Sequence, residues 1–366
     1  MNILYLSHLG GASFAGPTYS VPKQIDAQSK IDNVFWYNAV PKSPDFWKNI
    51  SYYHDLTEYP KESIDALPAP FHKPDIIVVE CFYNMFRSPL MRELMKGDTP
   101  YVIIPRGELT CQAQKRKMLK KSIANVLGCK QYARKAAAIQ YLTEQEYIDS
   151  GDAWNPKYIV IPNGVTFPES VKTGFTEDGI KFVSIGRISP YHKGLDLLID
   201  ACAMLRERLI EENCKITICG PDQEGQAEEL KRIVAEKRLH DIITFQDGVF
   251  GDEKKQLLLE SDVFLIPSRF EGHPMALIEA LSYGLPCVAT TGSNMRREID
   301  TYGAGWTADN EAQSICEALQ AAIDAKENYM NISQNAVALS KKYEWNSIAI
   351  EAHTSFEKLL KGEINE

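Results

Sequence analysis

The 366-residue chain has no apolar run approaching the ~18 residues that a membrane-spanning helix needs. Paired cysteines are missing too. The eight thiols, at 81, 111, 129, 202, 214, 219, 287 and 316, form no C-x-x-C, and several sit inside apolar stretches. Buried, reduced thiols are the plain reading, and the pattern argues against a disulfide framework or a zinc site. No D-x-D occurs, and the seven histidines (8, 54, 72, 192, 240, 273 and 353) do not cluster, which argues against a metal centre. The opening Met1–Leu6 lacks a basic region and a small-residue cleavage site. It reads as a first β-strand rather than an export signal, and a cytoplasmic location is expected. Tandem repeats and low-complexity tracts are also absent.

What is present is an ordinary globular composition, 44% hydrophobic and 24% charged. At roughly 150 residues per domain the length suggests two domains. The net charge of −9 argues against a general nucleic-acid binder. That total hides an asymmetry. Residues 1–170 carry 19 basic against 17 acidic residues, and residues 171–366 carry 21 against 32.

Short β-branched and aliphatic runs alternate with longer helical patterns. Strands are expected at Ile3–Ser7, Val34–Tyr37, Asp75–Glu80, Tyr101–Pro105, Ala138–Leu142 and Tyr158–Pro162, then at Lys181–Gly186, Lys215–Gly220, Ile242–Phe245, Asp262–Pro267 and Pro286–Thr290. Helical segments such as Leu195–Arg208, Gln226–Lys237 and Ala312–Lys326 separate them. This alternation, with near-continuous apolar strands, predicts two doubly wound parallel sheets, each covered on both faces. The turn at Pro162-Asn163-Gly164-Val165 and the polar run 169–179 form the expected hinge between domains at 1–168 and 178–340. A last helical segment within 341–366 has Ile348, Ala352, Phe356, Leu359 and Leu360 on one stripe. In open α/β sheets ligands sit at the carboxyl ends of strands, so the loops there are where chemistry is sought.

Three loops stand out. Gly10-Gly11-Ala12-Ser13-Phe14-Ala15-Gly16-Pro17 follows the first strand; its small residues let backbone approach a phosphate, although a tight turn without a ligand would look the same. Gly186-Arg187 and Lys193-Gly194 bracket a second loop, where two cations beside a helix start suit a diphosphate that gains negative charge as it leaves. In the third, Pro267 to Leu281, Glu271 precedes a helix opened by Pro274, and Glu279 lies inside that helix. Free amides near Met275 and Ala276 can bind phosphate, and the carboxylates can accept hydrogen bonds from sugar hydroxyls. Each acid also has a plain alternative, Glu271 as a cap and Glu279 as an exposed helical residue.

Taken together these residues resemble the retaining GT-B glycosyltransferases of family 4. The resemblance runs through Asn163-Gly164-Val165, Gly186-Arg187…Lys193-Gly194, Gly220-Pro221, Asp262…Pro267-Ser268, Glu271-x7-Glu279 and Ala280-Leu281-Ser282-Tyr283-Gly284-Leu285-Pro286. It implies two Rossmann-like domains facing across a cleft, with the terminal helix near Trp345 crossing back to the first. Arg187 and Lys193 would hold a nucleotide diphosphate, Glu279 the ribose and Glu271, with Gly272, the donor sugar. The backbone near Gly16 would close on the phosphate. The activity implied is metal-independent, cofactor-free hexosyl or N-acetylhexosaminyl transfer from a nucleotide sugar to a glycan or lipid-linked acceptor, in bacterial surface polysaccharide synthesis. A nucleotide-sugar epimerase of the same fold, or a non-catalytic sugar-nucleotide scaffold, are the rival readings. The chain departs from the family where a His-Gly is common: Pro105-Arg106-Gly107 stands there instead. Arg106 cannot act as a base, but it could bind an anionic acceptor or form a structural pair with Glu80 or Glu108.

Between Leu109 and Thr143 there is no acidic residue. Lys115, Arg116, Lys117, Lys120, Lys121, Lys130, Arg134 and Lys135 contribute +8, interleaved with Met118, Leu119, Ile123, Val126 and Leu127. Such a segment can lie peripherally on an anionic membrane surface, here the inner face of the cell membrane, or it can be a solvated face whose apolar residues pack inward.

Overall fold

The computed structural model describes residues 1–12, 16–115, 117–222 and 225–363; Ser13, Phe14 and Ala15 of the first loop and Arg116 of the basic segment lie outside them. The chain forms two compact units, Met1–Gly164 with Trp345–Glu366, and Val165–Glu344.

In the first unit seven parallel strands are found among the described residues. They are β1 (Asn2–Ser7), β2 (Asn33–Asn38), β3 (Tyr53–Asp55), β4 (Ile76–Glu80), β5 (Tyr101–Ile104), β6 (Ala138–Tyr141) and β7 (Tyr158–Val160), in the order β3-β2-β1-β4-β5-β6-β7. Leu4 sits opposite Phe35 on one side and Ile77 on the other. Alternate side chains enter separate cores. Leu4, Leu6, Phe35, Tyr37, Ile77 and Val79 face one way, and Ile3, Tyr5, Trp36, Ile76 and Val78 the other. That two-sided burial is why the strands read as continuous apolar runs. The helix Trp345–Leu360 buries Trp345, Ile348, Ala349, Ala352 and Phe356 against the second of these cores, beside the helix Gly16–Ser29. Its seam includes a close approach, since a Cβ on Gly164 would stand 2.4 Å from the Trp345 ring.

The second unit repeats the plan with β8 (Ile180–Ile185), β9 (Cys214–Cys219), β10 (Ile243–Gln246), β11 (Val263–Ile266), β12 (Cys287–Thr290) and β13 (Gly305–Ala308), in the order β10-β9-β8-β11-β12-β13. The polar run 169–179 is folded onto this unit. Lys172 is buried, donates to the Leu259 carbonyl at 2.9 Å and lies 3.5 Å from Asp262, whose carboxylate also accepts the amides of Thr176 and Lys181. The Val165 amide bonds the Tyr343 carbonyl, so the unit's two ends leave it side by side. Among the described residues no helix is long and apolar enough to cross a membrane.

Candidate functional site

Strand order reverses between β8 and β11, so in the second unit the chain leaves these two neighbours in opposite directions. Their carboxyl-end loops diverge and leave a crevice, the place where open α/β sheets bind ligands. The two sequence segments singled out above, Gly186–Gly194 and Pro267–Gly272, are these two loops. They are pressed closely together. A Cβ on Gly194 would lie 1.9 Å from the Pro267 carbonyl oxygen, and Gly220, just after β9, packs on the first of them, where a Cβ would fall 1.7 Å from the Gly186 carbonyl oxygen. Gly194 also has φ +61°, ending the short helix Pro190–Lys193 in a left-handed residue before the helix Leu195–Met204 begins.

This turn aims Lys193 into the loop after β11. Its Nζ donates to Glu271 Oε1 at 2.6 Å, and Ser268 Oγ donates to the same oxygen at 2.6 Å. Burial pushes the Glu271 carboxyl up, but the Lys193 ammonium outweighs it, with help from Ser268 and His192, and holds the group below the usual carboxylate range. Glu271 is therefore a partly buried carboxylate with one oxygen occupied by protein donors. Asn294 Nδ2 donates to the Glu271 backbone carbonyl, and Thr290 Oγ1 to that of Ser268 at 2.6 Å, which fixes the loop's course.

His192 stacks on Phe270 with ring centroids 4.2 Å apart, and its Nε2 lies 2.9 Å from the Phe270 carbonyl. A carbonyl only accepts, so Nε2 carries the proton. Burial holds the imidazole below its ordinary pKa, with the Lys193 and Arg187 charges acting in the same direction. Arg269 is committed to structure: it meets Asp196 through two 2.7 Å bonds and lies over the Tyr191 ring. Arg187 is different. Half-buried at the end of β8, it makes no hydrogen bond or ion pair with any described residue.

The helix Met275–Ser282 starts behind Glu271, with Gly272 partly exposed in the intervening turn. The Met275 amide, expected to be free, donates to the His273 carbonyl at 3.0 Å. Pro274, at φ −82° and ψ 81°, closes that bond as an inverse γ-turn. The Ala276 amide has no backbone carbonyl partner among the described residues, so it is the amide left at the helix start. Glu279, inside the helix, is partly exposed and paired with Lys254 of the helix Gly251–Glu260. Nothing in the sequence marked Lys254, because its partner lies 25 positions away. If Glu279 holds the ribose of a nucleotide sugar, as the resemblance implies, Lys254→Ala should raise the KM for that donor about tenfold with little change in kcat.

Two candidates belong to the first unit. Gly16 opens the helix Gly16–Ser29. Arg106 is buried, and its fork is taken by protein acceptors: Nε by Glu80 at 2.7 Å, Nη1 by Asn163 at 2.8 Å and Ser20 at 3.2 Å, Nη2 by Gln24 at 2.7 Å. Glu108 is not its partner and instead accepts the amides of Phe82 and Tyr83. Of the two roles open to Arg106, the structural pair is the one observed, and it ties β4, β5, the first helix and Asn163 together. Arg106→Ala would strand Glu80, which has no exposed side-chain surface. A loss of about 3 kcal/mol or more in urea unfolding is expected, with little recovery in Arg106→Lys.

Among the described residues no group of three His, Cys, Asp or Glu side chains is placed to hold a metal ion. Residues 166–338 match the family described as glycosyl transferases group 1. The chain is 33% identical over 149 residues to the amylovoran biosynthesis glycosyltransferase AmsK of Erwinia amylovora, a match covering 38% of this chain and 35% of that one. It thus spans little more than a third of that curated relative's length. Among solved structures it is similar to a sucrose-phosphate synthase from Thermosynechococcus elongatus, with a TM-score of 0.78 at 16% identity, covering 99% of each chain. It is also similar to Anabaena HepE in complex with UDP and glucose, with a TM-score of 0.72 at 16% identity, covering 98% of this chain and 100% of that one. The fold is GT-B.

Proposed function

We propose that the protein is a retaining, metal-independent glycosyltransferase of the family 4 type. It moves a hexosyl or N-acetylhexosaminyl group from a nucleotide diphosphate sugar to a glycan acceptor in bacterial surface polysaccharide synthesis. The acceptor is lipid-linked, and the protein works peripherally at the inner face of the membrane.

The observation that carries this reading is the pairing of an unpartnered Arg187 with the Lys193–Glu271–Ser268 cluster at the β8–β11 crevice. As the bond from sugar C1 to the diphosphate breaks, its electron pair goes to the leaving oxygen. Arg187 and Lys193 meet that charge, and being already in place they need no reorganisation. Glu271, kept ionised by Lys193, accepts hydrogen bonds from the donor sugar's hydroxyls through its other oxygen. The acceptor hydroxyl oxygen then forms the new bond to C1 on the face the nucleotide left, and its proton passes to the departing diphosphate oxygen. Glu279, positioned by Lys254, receives the ribose hydroxyls, and the Ala276 amide with the Gly272 turn faces a phosphate or sugar oxygen. Support from relatives is of two kinds: AmsK is named for the synthesis of a polysaccharide, amylovoran, and HepE binds UDP.

A thermal-shift series across UDP-, GDP- and ADP-sugars tests the donor assignment, since bound ligand raises Tm in proportion to its affinity. A rise with one nucleotide class, followed by label transfer to a lipid-linked glycan, supports the reading. No shift with any nucleotide sugar overturns it, and donor conversion without acceptor replaces transfer by epimerisation.

A further inference from the structure

The segment from Met118 to Lys135 is two short helices, Met118–Ala124 and Lys130–Lys135, joined through a π-turn at Asn125–Cys129. Lys121, Ala124, Asn125, Gly128 and Cys129 recur at helical spacing on its inner side, and Ala124, Cys129, Tyr132 and Ala133 belong to the first unit's core. The turn is kinked at Gly128, at φ +150° and ψ −22°, and Cys129 and Tyr132 beyond the kink stay buried on that inner side. The outer side is apolar. Met118, Leu119, Ile123, Val126 and Leu127 are between 59% and 86% exposed. Five large hydrophobic side chains on ten residues form a contiguous ridge, where surface apolar residues normally occur singly. Lys115, Lys117, Lys120, Lys130 and Arg134 are exposed around it, and none makes an ion pair with any described residue. Lys121 is the exception, donating to the Ala113 carbonyl at 2.7 Å and lying over the Tyr83 ring.

We propose that this ridge is a membrane wedge: Met118, Leu119, Ile123, Val126 and Leu127 enter the acyl boundary of an anionic bilayer while the surrounding Lys and Arg residues pair with lipid phosphates. The sequence left open whether these apolar residues pack inward; the structure places them outward. An apolar stripe beside unpaired cations, with no acidic residue from 109 to 143, matches the two components of an anionic lipid surface. A wedge of this kind reaches about 5–10 Å below the headgroups, without a spanning helix. The inference deepens the peripheral, lipid-side reading proposed above, but its geometry stands without the transfer reaction.

The test is co-sedimentation of the full chain with phosphatidylcholine vesicles containing about a third phosphatidylglycerol, against pure phosphatidylcholine. Wild type should bind the anionic vesicles only, and less as salt rises. The triple variant Leu119→Ser, Val126→Ser, Leu127→Ser should lose at least about tenfold in vesicle affinity while keeping its Tm, because the replaced side chains support no core. Lys117→Glu, Lys120→Glu, Lys130→Glu should lose as much. A tryptophan at Val126 should shift to the blue on binding and be quenched by brominated lipid. Absent sedimentation of wild type, or undiminished binding of the serine variant, overturns the wedge. So does a concentration-dependent dimer that the serine variant abolishes in place of vesicle binding, which would make the ridge a contact between copies. Stabilisation by nucleotide sugar, measured in the same variants, separates the two readings. If it persists while vesicle binding is absent, only the wedge fails; if it is absent while binding persists, only the transfer reading fails.

Discussion

Lys193→Ala should lower kcat for sugar transfer by at least about a hundredfold, the scale seen when one preorganised donor to a developing charge is removed. Two losses combine. In the proposed reaction the leaving diphosphate loses a cation, leaving Arg187 alone to meet its charge. Glu271 loses the ammonium 2.6 Å away that opposes the effect of burial on its carboxyl. With that ammonium gone, burial prevails and the carboxyl's pKa rises. Because the site needs the ionised form, the variant's residual activity should fall off on the acid side at a higher pH than wild type does. A pH profile of kcat/KM for both proteins is the measurement. Near-normal kcat in the variant would remove Lys193 from the diphosphate, and an unshifted acid limb would remove Glu271's ionisation from the mechanism.

How much of this was legible beforehand depended on burial. Central strands such as Ile76–Glu80 are apolar throughout because both faces are covered, and they stood out at once. The two strands that the sequence reading passed over, Tyr53–Asp55 and Gly305–Ala308, are the outer edges of their sheets, short and half polar. Unlike the other two edge strands, Tyr158–Val160 and Ile243–Gln246, these carry no aliphatic run for a local pattern to record and draw their definition from the neighbour they pair with. The site divides the same way. Arg187, Lys193 and Glu271 were visible because they sit at strand ends and helix starts marked by glycine and proline, and Glu279 because it lies a fixed eight residues beyond Glu271. Lys254, Asn294 and the Arg269–Asp196 pair were not, since each acquires its role from a residue 23 to 73 positions distant. The occupied Met275 amide required the actual Pro274 dihedrals. For the basic segment, helical spacing alone offered two faces, and only the packing of Cys129 and Tyr132 into the core decided that Leu119, Val126 and Leu127 point away from it.

Gly194→Ala should destabilise the second unit by about 3 kcal/mol or more in urea unfolding. Two costs add. At φ +61° an alanine occupies the left-handed region, at roughly 1–2 kcal/mol. Its Cβ would also stand 1.9 Å from the Pro267 carbonyl oxygen, a backbone atom that no rotamer change can move. Relief requires the β11 loop to back away from the helix start. That movement would separate Lys193 from Glu271, since one follows directly from the displaced turn and the other from Pro267. Activity should therefore fall further than stability explains, even at temperatures where the variant remains folded. Gly16→Ala supplies the contrast. No atom of a described residue lies within 4 Å of a Cβ there, and its φ is not left-handed, so at a helix's first residue the change should be neutral or slightly stabilising. Equal effects from the two substitutions would mean that glycine at 194 serves no packing purpose. The close approach of the two crevice loops would then not be what holds Lys193 against Glu271.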